Sequence, residues 1–358
     1  MHLWLRYGSN TRRGKRGQNT PVICTLDRKN LETCYNAIQQ LCLQAKPHIF
    51  VYTEVFVAVF IFHRSHGEET NIALAKLINA RSGGKIDVTI YPSGQMGNTT
   101  EFSQGVIDGT IDIGSGMTTD LVDFIPQNAV FDMPNLFPDI ETMRKVLKGE
   151  FADTMNEYNQ AGGVMMLGYA DAGFRQLTTN KEVRTLSDLK GQNIRVMTNP
   201  YHIAYWNALG ANAVSMEFTE VFMGLQQGTI DGQENPYMNI VTNNVQEVQK
   251  YVVETNHVGH IITFFMNNAL YQSLPDDVKA LVDECAADAV SYGNEIADES
   301  IAAYKQTCID AGCEIITLDE SVMADLKEKA NIVYDMVRKN LGDEIVDQVF
   351  EAVAAQEQ

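Results

Sequence analysis

The sequence predicts an α/β protein built as two similar lobes with a cleft between them. The first observation behind this is a repeat. Thr100–Asp112 reads TEFSQGVIDGTID and Thr219–Asp231, 119 residues later, reads TEVFMGLQQGTID, with seven of thirteen positions identical. The second is a βαβαβ pattern running into the first copy, which argues for a parallel sheet covered on both faces. The third is length, since 358 residues suffice for two separate cores.

Each element has a local reason. Val55 to Phe62 is an apolar run with strand composition, followed by the polar turn His63–Gly67. Glu68 to Asn79 carries Ile72, Leu74, Ala75 and Ile78 on one helical face, and Gly83-Gly84 closes it. Ile86, Val88 and Ile90 alternate as a strand. The repeated helices are expected to start at N-cap threonines, Thr100 and Thr219, and to stop at Gly109 and Gly228. A short strand should then open with Thr-Ile-Asp. In the second lobe, Asp188–Gly191 is a turn before a strand over Asn193–Met197, and Pro200 ends that strand ahead of a helix through Ile203, Tyr205 and Leu209. Val258 to Phe265 reads as a strand leading back toward the first lobe. From Pro275, suited to the first helical position, helical spacing of Val278, Leu281, Val282, Cys285, Ala289, Tyr292 and Ile296 predicts one long helix reaching Gly312.

Charge is unevenly spread. Residues 1–50 hold eight Lys/Arg against two Asp/Glu, or +6, so the net −19 leaves −25 on the rest. So acidic a body argues against nucleic acid as a partner, and an anionic ligand would need a few local cations. Residues 1–54 form an atypical leader without lobe-like pattern or an ordered secretory signal. Cys24, Cys34 and Cys42 lie there, and none follows the small residue of a lipoprotein acylation box. Cys285, Cys308 and Cys313 are expected as buried thiols, although a Cys308–Cys313 disulfide remains open in an oxidising compartment. No segment reaches the roughly 18 apolar residues of a membrane span.

Several segments together, GFRQLT, DLKGQNIRV, ALGA, MEFTEVF and LQQGTIDGQENP, resemble the DctP-type substrate-binding proteins of tripartite ATP-independent periplasmic (TRAP) transporters. The likeness runs from about Phe56 to Glu351, and YPSGQMGN and TNH also fit it. It implies a two-lobed periplasmic-binding-protein (type II) fold with crossed-over lobes and a long interlobe helix. Lobe one would take residues 55–172 and 261–301, lobe two residues 173–260 and 302–358. The implied function is extracytoplasmic capture of an organic acid, with a sugar acid or uronate favoured over a C4-dicarboxylate or 2-oxo acid. Delivery to the small and large membrane subunits of a TRAP transporter would follow.

Carboxylate recognition calls for the planar donor fork of arginine. Arg195 alternates with Ile194 and Val196 near the carboxyl end of its strand, where open α/β sheets bind ligands. By resemblance it is the carboxylate clamp; a salt bridge is the plain alternative. The resemblance adds Arg175 as a second ligand-facing arginine and Asn235 as an amide that orients the clamp or contacts the carboxylate directly, with Glu234 admissible only if paired to an arginine. For selectivity, His66, Glu69 and Asn71 at the turn after the first strand, Gln95 in the next crossover and Asp171 before GFR form a polar set suited to hydroxyls. Trp206 fits core packing better than a ligand face.

Other chemistries find little support. His63/His66 and His257/His260 have HxxH spacing without a carboxylate-rich helix, so no metal is expected. No GxSxG, P-loop or GxGxxG occurs, so neither a catalytic site nor a cofactor is expected. An enzyme acting on sugar acids, or a ligand-sensing domain, is the alternative reading.

Overall fold

The computed structural model describes residues 2–4, 23–25, 54–60, 66–91 and 95–357, the first three segments and residues 66–68 by backbone alone. Expectations for Cys34, Cys42, His63 and the side chains of Cys24 and His66 therefore fall outside the described residues. Within the leader, β1 (His2–Trp4) pairs antiparallel with β2 (Ile23–Thr25).

Lobe one is built on a five-stranded sheet of order β4-β3-β5-β12-β6. Its strands are β3 (Glu54–Phe60), β4 (Ile86–Tyr91), β5 (Ile113–Met117), β6 (Val164–Phe174) and β12 (Gly259–Asn267). Helix α1 (His66–Arg81) and α2 (Thr99–Asp108) make the two crossovers between the parallel β3, β4 and β5. Lobe two has a six-stranded sheet, β13-β11-β7-β10-β8-β9. It comprises β7 (Gln176–Thr179), β8 (Asn193–Val196), β9 (Asn212–Ser215), β10 (Gly232–Asn235), β11 (Tyr251–Glu254) and β13 (Glu314–Thr317).

Both sheets are mixed, where the opening pattern argued for parallel ones. The cause is the double crossing of the chain: β6 runs into β7 through Arg175, and β11 returns to β12 through residues 255–258. Strands that arrive from the other lobe enter reversed, so β12 is antiparallel to β5 and β6, and β7 to β10 and β11.

The repeat performs the same task in both lobes. Gly109 and Gly228 cap α2 and α6 (Val221–Gln227) in the left-handed region, at φ 77° and 70°. The next threonine then folds back: Thr110 and Thr229 each donate both backbone N–H and hydroxyl to the carbonyl of Gly105 or Gly224, the hydroxyl at 3.1 Å in both copies. Ile111 and Ile230 pack over those mid-helix glycines, where a Cβ would meet their Cδ1 atoms at 2.7 and 3.2 Å. Strands β5 and β10 begin after Thr-Ile-Asp rather than within it. The expected N-caps are also wrong. Asn98 caps α2 through a capping box with Glu101, and the second copy enters its helix through a 3-10 turn, Phe218–Glu220, with no side-chain cap.

Between the repeats lie α3 (Ile140–Val146), α4 (Glu150–Ala161) and α5 (Pro200–Ala208), with Pro200 at the first turn of α5. Helix α7 (Tyr237–Thr242) follows β10, and α8 (Asn268–Ser273) follows β12. Helix α9 (Asp276–Asp310) is 35 residues long and packs on α1 and β6 of lobe one and on α7 and β13 of lobe two, so it spans the junction. Two helices end the chain, α10 (Glu320–Leu341) against α5, and α11 (Asp343–Ala354) against α3 and α4. Residues 343–354 thus pack on lobe one, although 302–358 were assigned to lobe two. The apolar stripe Ile345, Val346, Val349 and Val353 explains this, because it joins a core running from Phe102 and Phe265 of lobe one to Ile194 and Val196 of lobe two. Cys285, Cys308 and Cys313 are buried free thiols.

Candidate functional site

Where the two crossing segments meet, side chains form a buried polar network. Arg175 donates from Nε and Nη2 to both carboxylate oxygens of Glu234, at 2.5 and 3.0 Å, and from Nη2 to the Glu234 carbonyl at 2.6 Å. Its Nη1 donates to His260 Nδ1 at 2.9 Å. On the far side of Glu234, His257 Nε2 lies 3.0 Å from Oε2, and His257 Nδ1 is 2.8 Å from the Thr255 hydroxyl. Burial pushes the Glu234 carboxyl up, but Arg175 and His257 outweigh it and hold the group well below the carboxylate range. Burial lowers both histidines, so each is neutral. His257 then donates from Nε2, and His260 accepts at Nδ1. Tyr205 stacks on His257 at 6.0 Å between centroids, and Trp206 meets its edge at 5.2 Å. Trp206 is core, as expected, and Glu234 has the arginine it required. Arg175 turns into the protein, its charge already matched by a carboxylate.

Arg195 differs. Strand alternation puts Glu234 on the Leu177 face of the sheet and Arg195 on the other, beside its register partner Gln233. The Arg195 side chain is buried, donates from Nε to the Met216 carbonyl at 2.8 Å and lies 5.5 Å from the centre of the Phe218 ring. Among the described residues its Nη atoms have no hydrogen-bond partner. Burial lowers its pKa to about 10, so it remains cationic at neutral pH. Asn235 is bonded to Gln233, the register partner of Arg195: Asn235 Nδ2 donates to Gln233 Oε1 at 2.6 Å, while Asn235 Oδ1 accepts from Asn239 at 3.1 Å. Gln233 is locked in turn onto the Thr178 hydroxyl at 3.0 Å. Sequence reasoning missed Gln233, although its spacing two residues before Asn235 on one strand put both on one face.

Lobe one faces this group with the turn after β5. Asn199, just beyond β8, donates across the lobes to Thr119 at 2.7 Å and to Asp132 at 2.8 Å, and His202 lies 3.2 Å from Asp132. These bonds set the carboxyl end of β5 against that of β8. Asp120, another residue the sequence reading missed, sits there half-buried, its Oδ2 accepting from the Met117 N–H at 2.7 Å. Burial raises its carboxyl to about 7, with repulsion from Asp132 and Glu217 in the same direction and Met117 and Arg175 opposing.

The selectivity candidates separate. Asn71 is fully buried on α1, and neither side-chain atom has a partner among the described residues. Glu69 is half-buried one turn-step earlier, and Gln95 is exposed on the loop after β4. Asp171 is committed elsewhere. Its Oδ2 accepts from Arg144 Nε at 2.6 Å and its Oδ1 from the Gly173 N–H at 3.0 Å, while Arg144 also grips Asp298 on α9. That pair ties α3, β6 and the long helix together, and it leaves Asp171 no free charge for a ligand.

Two lobes joined by two crossing strands, with a buried cation at the carboxyl end of β8, describe a binder of small anions. The family described as bacterial extracellular solute-binding protein, family 7 (DctP), matches residues 64–340. The chain belongs to this family. Its relatives include the 2,3-diketo-L-gulonate-binding periplasmic protein YiaO of Escherichia coli, 30% identical over 79% of this chain and 87% of that one. The C4-dicarboxylate-binding periplasmic protein DctP of Rhodobacter capsulatus is 30% identical over 78% and 84%. Among solved structures, the sugar acid binding protein DctPAm of Advenella mimigardefordensis, in complex with galactonate, superposes with a TM-score of 0.80. It is 26% identical and covers 86% of this chain and 99% of its own. The two-lobed architecture is that of these periplasmic binding proteins, and the chain is a solute-binding protein of the DctP type.

Proposed function

We propose that this protein captures a monoanionic sugar acid in the cleft between its lobes and hands it, chemically unchanged, to the membrane subunits of a TRAP transporter outside the cytoplasm. One observation carries the reading. Arg195 is a buried cation whose terminal amino groups are unused, on the strand end that faces the other lobe. Arg175 cannot serve the same purpose as directly, because Glu234 already neutralises it. Arg195 therefore binds the ligand carboxylate as a bidentate clamp, with Gln233 and Asn235 fixing the surface beside it. Relatives that bind 2,3-diketo-L-gulonate and galactonate support the ligand class, whereas the one that binds C4-dicarboxylates marks the competing class. Glu69 and Asn71 remain candidates for hydroxyl contacts from lobe one.

Titration calorimetry with D-galactonate tests this. Removing one partner of a buried charge pair costs about 2–5 kcal/mol, so Arg195→Ala should bind at least about 30-fold more weakly while melting near the native temperature. Arg195→Lys should also bind poorly, since a point charge cannot reproduce the fork. Recovery of intact galactonate from the complex separates capture from catalysis. Near-native affinity in Arg195→Ala would remove that residue from the site.

A further inference from the structure

Lobe one places a carboxylate opposite the clamp. Asp120 stands in the turn after β5, and the Thr119–Asn199 bond at 2.7 Å fixes that turn against the segment following β8, the strand that carries Arg195. Its Oδ2 is held by the Met117 N–H, as the cap of the 3-10 turn Thr118–Leu121. Its Oδ1 has no hydrogen-bond partner among the described residues and is not sealed from solvent. The charged groups that act on it are Asp132 in the following turn, Arg175 at the lobe crossing and Glu217 of lobe two. Asn199, bonded to the neighbour of Asp120, lies four residues beyond Arg195, and Arg175 and Glu217 act on both Asp120 and Arg195.

We propose that Asp120 is a specificity-determining residue: Oδ1 accepts hydrogen bonds from ligand hydroxyls and repels a second ligand carboxylate, so the cleft selects polyhydroxy monoacids over C4-dicarboxylates. This rests on Arg195 as the clamp for the first carboxylate. An acceptor-only group rewards a hydroxyl, which can donate, and penalises a carboxylate, which cannot. Selection therefore comes as much from the repulsive element as from the attractive one.

Asp120→Asn keeps a side-chain oxygen for the Met117 cap and removes the charge. Native protein at about pH 8.5, above the raised carboxyl value, should bind D-galactonate at least about tenfold tighter than succinate. In Asp120→Asn the galactonate-to-succinate ratio should fall by about tenfold or more, mainly through tighter succinate binding. An unchanged ratio in a variant that melts like native protein overturns the proposal, as does native protein that prefers succinate. Should the variant fail to fold, the native protein still decides. Protonation of Asp120 below about pH 7 removes the repulsion, so the same ratio must shrink between about pH 8.5 and 6.5; a constant ratio overturns it. Failure of the clamp itself is distinguishable, because Arg195→Ala would then leave both ligands bound.

Discussion

Glu234→Gln isolates the buried ion pair at the lobe crossing. The side chains of Arg175 and Glu234 are 1% and 0% exposed, so no water can replace the lost charge. Glutamine puts an amide N–H where one carboxylate oxygen accepts from Arg175, and a donor then faces a donor. The guanidinium also becomes a buried charge without a counter-ion. Breaking such a pair from one side costs about 3–5 kcal/mol. With about 2.1 cal/mol/K of unfolding entropy per residue over 358 residues, a loss of about 4 kcal/mol lowers the melting temperature by about 5 °C. Circular dichroism melts at neutral pH measure this directly. The deficit should persist in about 0.5 M salt, because buried pairs are little screened. It should also be constant from about pH 8 down to 5. A carboxyl with a depressed folded value contributes its full stability above the unfolded value and loses it only as pH falls through the folded one. A melting temperature within about 1 °C of native, or a deficit abolished by salt, would refute the assignment of a buried pair.

Two further outcomes follow from the same coordinates. Alanine gains about 1 kcal/mol of helix propensity over glycine, and the repeat offers a matched comparison. At Gly105 the new Cβ would lie 2.7 Å from Ile111 Cδ1, but at Gly224 its nearest contacts are 3.2 Å. Gly105→Ala should therefore destabilise, and Gly224→Ala should be close to neutral; equal melting shifts would show that the two lobes pack the motif alike. On the acid side, His257 and His260 stay neutral in the folded protein. Below their ordinary value of about 6.5 the unfolded chain binds more protons, and stability falls as pH drops. Asp120 opposes this, since a raised carboxyl makes the folded state bind the extra proton between its unfolded value and about 7. The fall in melting temperature from about pH 7 to 5 should thus be steeper in Asp120→Asn than in native protein, and a shallower fall would contradict the sign of the Asp120 shift.

Legibility from the sequence followed distance along the chain. The repeat was readable because each of its bonds closes within seven residues: glycine cap, threonine fold-back and isoleucine packing are all local. The long helix was readable for the same reason. The N-cap was missed even though Asn98 and Glu101 have capping-box spacing, because attention to the repeat's first threonine displaced the better cap two residues earlier. Strand alternation placed Arg195 off the apolar face of Ile194 and Val196, and the family resemblance, not alternation, marked it as the clamp candidate. The ion-pair partners of Arg175 and Asp171 were not legible because they are remote: Glu234 is 59 residues from Arg175, and Arg144 is 27 from Asp171. A charged residue in a motif does not disclose whether a counter-charge will be folded onto it. Asp120 gave no signal at all, since its character depends on Asp132, Arg175 and Glu217 converging from separate elements.

This pairing also answers how an acidic protein holds an anion. A formal charge of −19 on the chain would seem to oppose any carboxylate, yet at physiological salt surface charges are screened beyond about 8 Å. The charges that count are the buried and half-buried ones at the lobe junction. There the crossing network contributes nothing net, because Arg175 and Glu234 cancel and both histidines are neutral. Asp171 and Asp298 share the single charge of Arg144. Among the described residues, the Nη atoms of Arg195 have no hydrogen-bond partner, and Asp120 is a half-buried carboxylate on the lobe-one turn bonded to Asn199. With Arg195 as the proposed clamp and Asp120 as the proposed selector, the ligand they suit is negative at one end and a hydrogen-bond donor at the other, which is the chemical description of a hydroxylated monoacid.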